Sequence, residues 1–245
     1  MVGFISFGCM KSTIEEIEKR FDQDVERFSN LDTGQATTLD AAFNLELITQ
    51  AISKEYPDGI SVLDVGCGAG NYSVKLAQKV KDVQYTLLDL SKPMLEKATQ
   101  RLNSLTSQKI IAVKGDFRDQ DLKQGHYDVI IATAVLHHLR DDNDWETAFK
   151  KLYNLLKPGG SIWIFDLVQQ HTDALQGYIY KDLYGAYLTQ LGGEGYRDKV
   201  FSYIEKEDSP RSLMYQLELL QKVGFTAVDV LHKNLCFASF VGFKN

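Results

Sequence analysis

The chain has 245 residues, 44 % apolar and 24 % charged, with a formal net charge of −6. That length suits one α/β unit burying about 70–75 % of its unfolded surface, and the acidic balance disfavours nucleic acid and favours a small-molecule partner. Cys9, Cys67 and Cys236 are odd in number and far apart, which excludes a disulfide framework and a C-x-x-C metal or redox motif and fits a reducing, cytoplasmic setting.

No apolar run approaches the ~20 residues of a membrane span, so no membrane partner is expected. Met1 to Met10 has neither the basic start nor the length of a signal peptide, and Met10-Lys11 is a second candidate start. Ser12-Thr13-Ile14-Glu15 has capping-box spacing. Ile14, Ile17, Phe21, Val25 and Phe28 then recur at helical intervals, predicting an amphipathic first helix. Residues 29–38 are rich in turn formers. A second helix is predicted from about Asp40 to Lys54, with Ala41, Leu45, Ile48 and Ile52 on one face before the Pro57-Asp58-Gly59 turn. These two helices form an N-terminal cap over residues 11–56.

From there strand-like apolar runs alternate with helical patterns. Ser61 to Val65, Tyr85 to Leu88, Ile110 to Val113, Val129 to Thr133 and Ser161 to Phe165 read as buried parallel strands. Ser91 is placed to cap a helix bearing Leu95, Ala98 and Leu102, and Trp145, Ala148, Phe149, Leu152 and Leu156 stripe another that ends at Pro158-Gly159-Gly160. Such alternation implies a doubly wound Rossmann-like α/β sheet with helices on both faces. The segment 168–208 holds six of the twelve tyrosines, Tyr178, Tyr180, Tyr184, Tyr187, Tyr196 and Tyr203. It reads either as a substrate lid or, from the spacing of 180, 184 and 187, as one packed helix face. Leu213 to Val223 is a predicted helix closed by Gly224, followed by a strand pair, Thr226 to Leu231 and Cys236 to Phe243, which brings the sheet to seven strands.

The most informative stretch is Asp64-Val65-Gly66-Cys67-Gly68-Ala69-Gly70, directly after the first strand, with Asp89 nineteen residues beyond Gly70 (89 minus 70) at the end of the second. Closely spaced glycines let a strand turn sharply into a helix while the backbone approaches a ligand. An acid at the end of the neighbouring strand can accept hydrogen bonds from ribose hydroxyls. The spacing is G-x-G-x-G, not the G-x-G-x-x-G that receives a pyrophosphate. Asp64 would repel a diphosphate and suits the ammonium of an amino-acid end. Asp64 also has a plainer reading, as a buried acid holding the turn.

These residues, with Gly115-Asp116-Phe117, Tyr127-Asp128-Val129-Ile130, Leu136-His137-His138-Leu139 and Leu156-Lys157-Pro158-Gly159-Gly160, resemble the class I S-adenosylmethionine-dependent methyltransferases over about residues 60–166. The resemblance implies methyl transfer from S-adenosylmethionine to a small-molecule acceptor, leaving S-adenosylhomocysteine. It implies a cofactor-binding set of Asp64, Gly66, Cys67, Gly68, Gly70, Asp89, Leu90, Asp116, Phe117 and Thr133, with Asp116 on the adenine amine and Phe117 against the ring. His137 or His138, just past the fourth strand, is placed to deprotonate an acceptor, and His137 is the expected catalytic residue. Asp141-Asp142-Asn143-Asp144 reads as a helix N-terminus, not a metal site. One methyltransferase domain is expected over 1–245, with core 60–166, lid 168–208 and closing elements 209–245, and a homodimer is compatible with it.

The whole chain also resembles the branch containing carboxy-S-adenosylmethionine synthase, linked to tRNA wobble-uridine modification. That chemistry needs an arginine on the added carboxylate, for which Arg197 and Arg211 are candidates. A cofactor-binding regulator without chemistry is a third reading.

Overall fold

The computed structural model describes residues 11–23, 25–29 and 36–245. Met1 to Met10, Cys9 included, and residues 30–35 of the turn-rich stretch lie outside the described residues. The N-terminal part forms α1 (Ile14–Gln23), α2 (Val25–Ser29) and α3 (Ala41–Glu55). The capping box falls one residue later than the spacing predicts: Thr13 Oγ1 accepts from Glu16 N at 3.3 Å, and the Glu16 carboxylate accepts from Thr13 N at 3.0 Å. Ser12 is drawn away because its hydroxyl lies 3.2 Å from Glu207 Oε1, at the far end of the chain.

The core runs β1 (Ser61–Val65), α4 (Asn71–Ala77), β2 (Gln84–Asp89), α5 (Lys92–Asn103), β3 (Ile110–Lys114), β4 (Tyr127–Thr133), α6 (Asp142–Leu155) and β5 (Leu156–Leu167), with a one-turn 3-10 helix, Leu136–His138, after β4. The insertion consists of α7 (Asp173–Leu175), a π-helix (Gln176–Tyr184), α8 (Gly185–Gly192) and α9 (Glu194–Glu207). Then α10 (Leu213–Val223), β6 (Ala227–Asn234) and β7 (Phe237–Phe243) close the fold. The seven strands lie in the order β3-β2-β1-β4-β5-β7-β6, parallel except for β7, which runs antiparallel to both β5 and β6.

Alternate strand residues feed two cores. Val62, Leu87 and Ile131 pack with Ile48, Ile52, Leu76, Ala98 and Leu102 of α3, α4 and α5, whereas Leu63, Ile130 and Ile162 pack with Trp145, Phe149, Leu152 and Leu220 of α6 and α10. One expectation fails: β3 is not buried. It is the sheet edge, covered by a single neighbour, and Ile111 is 43 % exposed. Its apolar run resembles that of the inner strands, which hides the difference in the sequence.

The order places β1 between β2 and β4, so chain direction across the sheet reverses between β1 and β4, and a crevice opens there at the carboxyl ends of the strands. Gly68 and Gly70 both have left-handed backbones, at φ +51° and +78°. A Cβ at Gly68 would meet nothing within 4 Å, whereas one at Gly70 would sit 2.8 Å from Ala98 Cβ in α5. Gly68→Ala is therefore expected to cost about 1–2 kcal/mol from the backbone alone, and Gly70→Ala about 3 kcal/mol or more because overlap with a fixed helix adds to it. Urea denaturation of both variants checks this; equal losses would remove the packing role assigned to Gly70.

Candidate cofactor and acceptor site

At the turn after β1, Cys67 N donates to Leu88 O at 3.0 Å and Gly70 N to Cys67 O at 2.8 Å, which binds the glycine loop to the end of β2. Asp89 completes that join. One carboxylate oxygen accepts from Gly68 N at 2.8 Å and the other from Ser91 N at 2.9 Å, at the start of α5, which Ser91 caps through Met94 N. Burial raises the Asp89 pKa above the ordinary carboxylate range, against the opposing effect of these amides.

Two adjoining cavities, of about 130 and 300 Å³, form one cleft over these strand ends. Both are bordered by Ile17, Gly66, Asp89, Leu90, Val135 and His138. The smaller half adds Cys67, Gly68, Asn71, Tyr72, Met94 and Thr133. The larger adds Asp116, Phe117, Arg118 and Arg140, with Ser12, Thr13 and Ile14 from the N-terminal segment. Of the residues expected from sequence, Gly66, Cys67, Gly68, Asp89, Leu90, Asp116, Phe117 and Thr133 thus border one cleft. Gly70 stands behind it, against α5.

Asp64 does not border the cleft. It lies 1 % exposed in β1 and accepts from Ser73 Oγ of α4 at 2.6 Å, the plainer of its two readings. A central strand covered on both sides leaves its inner side chains no route to the crevice, and α4 meets the carboxylate instead. Asp116 is gripped by Arg118, whose guanidinium also reaches Asp144 at 2.7 Å. Burial pushes the Asp116 carboxyl up, but the arginine outweighs it and holds the pKa below its usual value. The acids at the start of α6 are likewise in use: Asp141 caps the helix through Asp144 N, and Asp142 pairs with Arg211.

The histidine pair divides differently from the expectation. His137 is absent from the cleft lining, whereas His138 borders both halves. The cause is Asp166 at the end of β5, which accepts from Leu136 N at 2.8 Å and His137 N at 3.1 Å and takes His137 Nδ1 on its other oxygen. His137 is thereby turned inward, and its Nε2 lies 3.7 Å from Asp208 Oδ1, while His138 Nδ1 lies 3.2 Å from that same oxygen. Burial alone would lower the His137 pKa, but the Asp166 and Asp208 carboxylates reverse this and raise it to about 9. Burial and the neighbouring His137 charge lower that of His138. Sequence gave no sign that Asp166 and Asp208, 29 and 71 residues beyond His137 (166 minus 137; 208 minus 137), meet the histidine turn.

In the tyrosine-rich segment Tyr180, Tyr187 and Tyr196 pack partly buried against the core, whereas Tyr178 is exposed. Tyr184 is 1 % exposed against Phe237 and Phe201. Its hydroxyl donates to Thr37 O at 2.7 Å, and Tyr187 donates to Ala36 O at 2.8 Å, tying the insertion to the N-terminal segment. Arg20 reinforces that tie through Glu207 and Tyr203. Tyr180 differs in bordering a third, larger cavity of about 620 Å³ beneath the insertion. Asp208 lines this chamber and lies 3.2 Å from His138, which borders the cleft, so chamber and cleft adjoin at this contact. Ile17 and Phe21, on the apolar face that periodicity predicts for α1, belong to the cleft wall.

A glycine turn and a strand-end acid facing a crevice at the reversal point define a Rossmann-like α/β protein built around an adenosyl-type ligand. Residues 62–160 match the methyltransferase domain family. With the motif order and the seven-stranded architecture, this identifies residues 62–160 as a methyltransferase domain similar to those of the class I S-adenosylmethionine-dependent enzymes. Carboxy-S-adenosyl-L-methionine synthase of Campylobacter lari is 27 % identical over 93 % of this chain and 96 % of its own length. YqeM of Bacillus subtilis is 37 % identical, but over only 49 % of this chain, which spans about half (47 %) of that protein. Malonyl-[acyl-carrier protein] O-methyltransferase of Priestia megaterium is 31 % identical over 56 % of this chain and 48 % of its own. In fold, the chain is similar to magnesium protoporphyrin IX methyltransferase from Synechocystis, solved with bound S-adenosylhomocysteine, at TM-score 0.65 and 15 % identity over 95 % and 99 % of the two chains. Among the described residues no helix is long and apolar enough to cross a membrane.

Burial raises the Asp64 pKa to about 7, with Asp89 adding to the rise and Ser73 opposing it. Unfolded, an aspartate titrates near ~3.9. Between these values the folded protein holds the proton that the unfolded chain has lost, so the Asp64 contribution to stability is present below about pH 4 and is lost as pH rises to about 7. The stability of Asp64→Asn relative to wild type should therefore climb across that window, by at most about 4 kcal/mol, and stay level above it. Urea denaturation at pH 5 and pH 8 measures this; a difference independent of pH would show that Asp64 is ionised throughout.

Proposed function

We propose that the cleft binds S-adenosylmethionine and that the protein transfers its methyl group to a small-molecule acceptor held on the chamber side of His138. The observation that carries this reading is the Asp89 carboxylate, locked by Gly68 and Ser91 amides at the lip shared by both halves of the cleft. Held in that way, it retains lone pairs for two ribose hydroxyls. Leu90, Asp116 and Phe117 suit the adenine end, one with a carboxylate acceptor and the others with apolar surface, while Gly66, Asn71 and Thr133 suit the amino-acid end. Asp64 acts as a positioning residue through Ser73.

Methyl transfer is an in-line displacement from a sulfonium and asks the protein for alignment more than for covalent help. Residues Ile17 and Phe21 of α1 cover the cleft and limit water there. Where the acceptor loses a proton, His138 takes it. It faces the cleft, and burial and its charged neighbour keep it neutral near pH 7. His137 is the imidazolium held between Asp166 and Asp208, and it orients the turn.

Asp89→Ala is expected to remove charge-assisted bonds of roughly 1.5–3 kcal/mol and weaken S-adenosylmethionine binding about ten- to a hundred-fold. Calorimetry giving an unchanged affinity would refute the ribose role.

The relative matching over nearly the full length favours a second reading, carboxylation of the cofactor, for which Arg197 and Arg211, both bordering the adjoining chamber, are the candidate carboxylate partners. Incubation with S-adenosylmethionine and prephenate followed by mass spectrometry separates the two, since replacing hydrogen by a carboxyl adds about 44 Da to the nucleoside product. Methyl transfer predicts no such species.

A further inference from the structure

We propose that the chamber beneath the insertion selects a carboxylate-bearing organic acid, with Lys181 as the residue that reads its charge. This rests on the acceptor assignment above and adds the chemical class of the molecule. Four cations, Lys11, Lys181, Arg197 and Arg211, line the chamber against two acids, Glu205 and Asp208, an excess of two positive charges (4 minus 2) in a chain whose net charge is −6. A net excess of one sign along a concave wall concentrates ligands of the opposite sign.

Other groups already neutralise part of that lining. The Asp208 carboxylate is 2 % exposed and faces His137 and His138. Arg211 is paired with Asp142 at 2.8 Å, and Arg197 with Asp198 at 2.8 Å. Lys11 donates to the Glu205 and Asp208 carbonyls. Lys181 alone of the four makes no ion pair or hydrogen bond among the described residues. Its charge is thus the one available to an incoming anion.

The wall that presents Lys181 is unusual in itself. Gln176–Tyr184 is a nine-residue π-helix, a rare conformation that is frequent at functional sites. Its wide turn brings Gln176 and Lys181, five residues apart, to the same chamber together with Tyr180. Leu167, Val168, Phe201, Ile204 and Pro210 supply an apolar floor. A compartment of about 620 Å³ with an apolar floor and a cationic rim is too large for a bare inorganic anion and suits a carbon skeleton with a carboxylate at one end. Asp208, which lines the chamber, touches His138 of the cleft, so the reacting end would lie at that boundary.

The test is calorimetry of 4-hydroxybenzoate and adipate against the corresponding amides, on the protein with and without saturating S-adenosylhomocysteine. At least one acid should bind about ten-fold more tightly than its amide, and the advantage should shrink as salt is raised. Lys181→Glu, a change at an exposed side chain, should abolish the advantage, leaving amide and S-adenosylhomocysteine affinities unchanged, and Lys181→Arg should retain it. Equal affinities for acids and amides, no binding by either acid, or an advantage that survives Lys181→Glu would overturn the proposal. Failure of S-adenosylhomocysteine itself to bind would strike the cofactor reading, while the measurements on the ligand-free protein still decide the chamber.

Discussion

The site depends on one carboxylate with two amide partners. Asp89 holds the glycine loop by Gly68 N–H and the start of α5 by Ser91 N–H, so three backbone segments that share no regular hydrogen-bond ladder at that point are fixed together. Each bond is charge-assisted and lies at the edge of a buried region, where its loss leaves an amide without a partner. The same carboxylate borders both halves of the cleft. Loop order and the lip of the cleft are therefore set by one side chain, and Gly70, packed on Ala98, sets how closely α4 and α5 can meet behind it.

A second knot does for the opposite wall what Asp89 does for this one. Glu207 and Asp208, at the end of α9, gather Ser12, Arg20, Arg140 and the histidine pair. The N-terminal segment, the turn after β4 and the insertion are thus joined at a place where the cleft and the chamber come within one side chain of each other. Arg140 adds to the closure by donating to the Ser12 and Glu207 carbonyls. An ordered α1 over the cleft follows from these bonds, because its own apolar face is too short to hold it there alone.

The central sheet was legible because each strand carries an apolar run bounded by glycine or a polar turn, and Asp89 was legible because parallel neighbours bring consecutive strand ends together. The edge position of β3 was not, since Ile110 to Val113 is as apolar as any inner strand. The capping box slid from Ser12 to Thr13 because a residue far along the chain, Glu207, competes for the Ser12 hydroxyl. The exchange of His137 for His138 at the cleft has the same origin. Asp166 and Asp208 decide which ring turns inward, and neither is near the pair in sequence. Local patterning reports what a segment can do alone; it is silent about partners brought in by topology.

That difference bears on how chemistry is divided in the site. Two adjacent histidines of the same ordinary pKa become unlike once folded. His137, between two carboxylates, keeps its proton, while His138, buried beside that charge and open to the cleft, sheds it. A positive neighbour thus leaves His138 a weaker base than a free imidazole. One Asp208 oxygen faces both rings, 3.7 Å from His137 Nε2 and 3.2 Å from His138 Nδ1. Acid residues contributed by β5 and by the end of the insertion therefore set how the two rings differ, although neither acid borders the cleft.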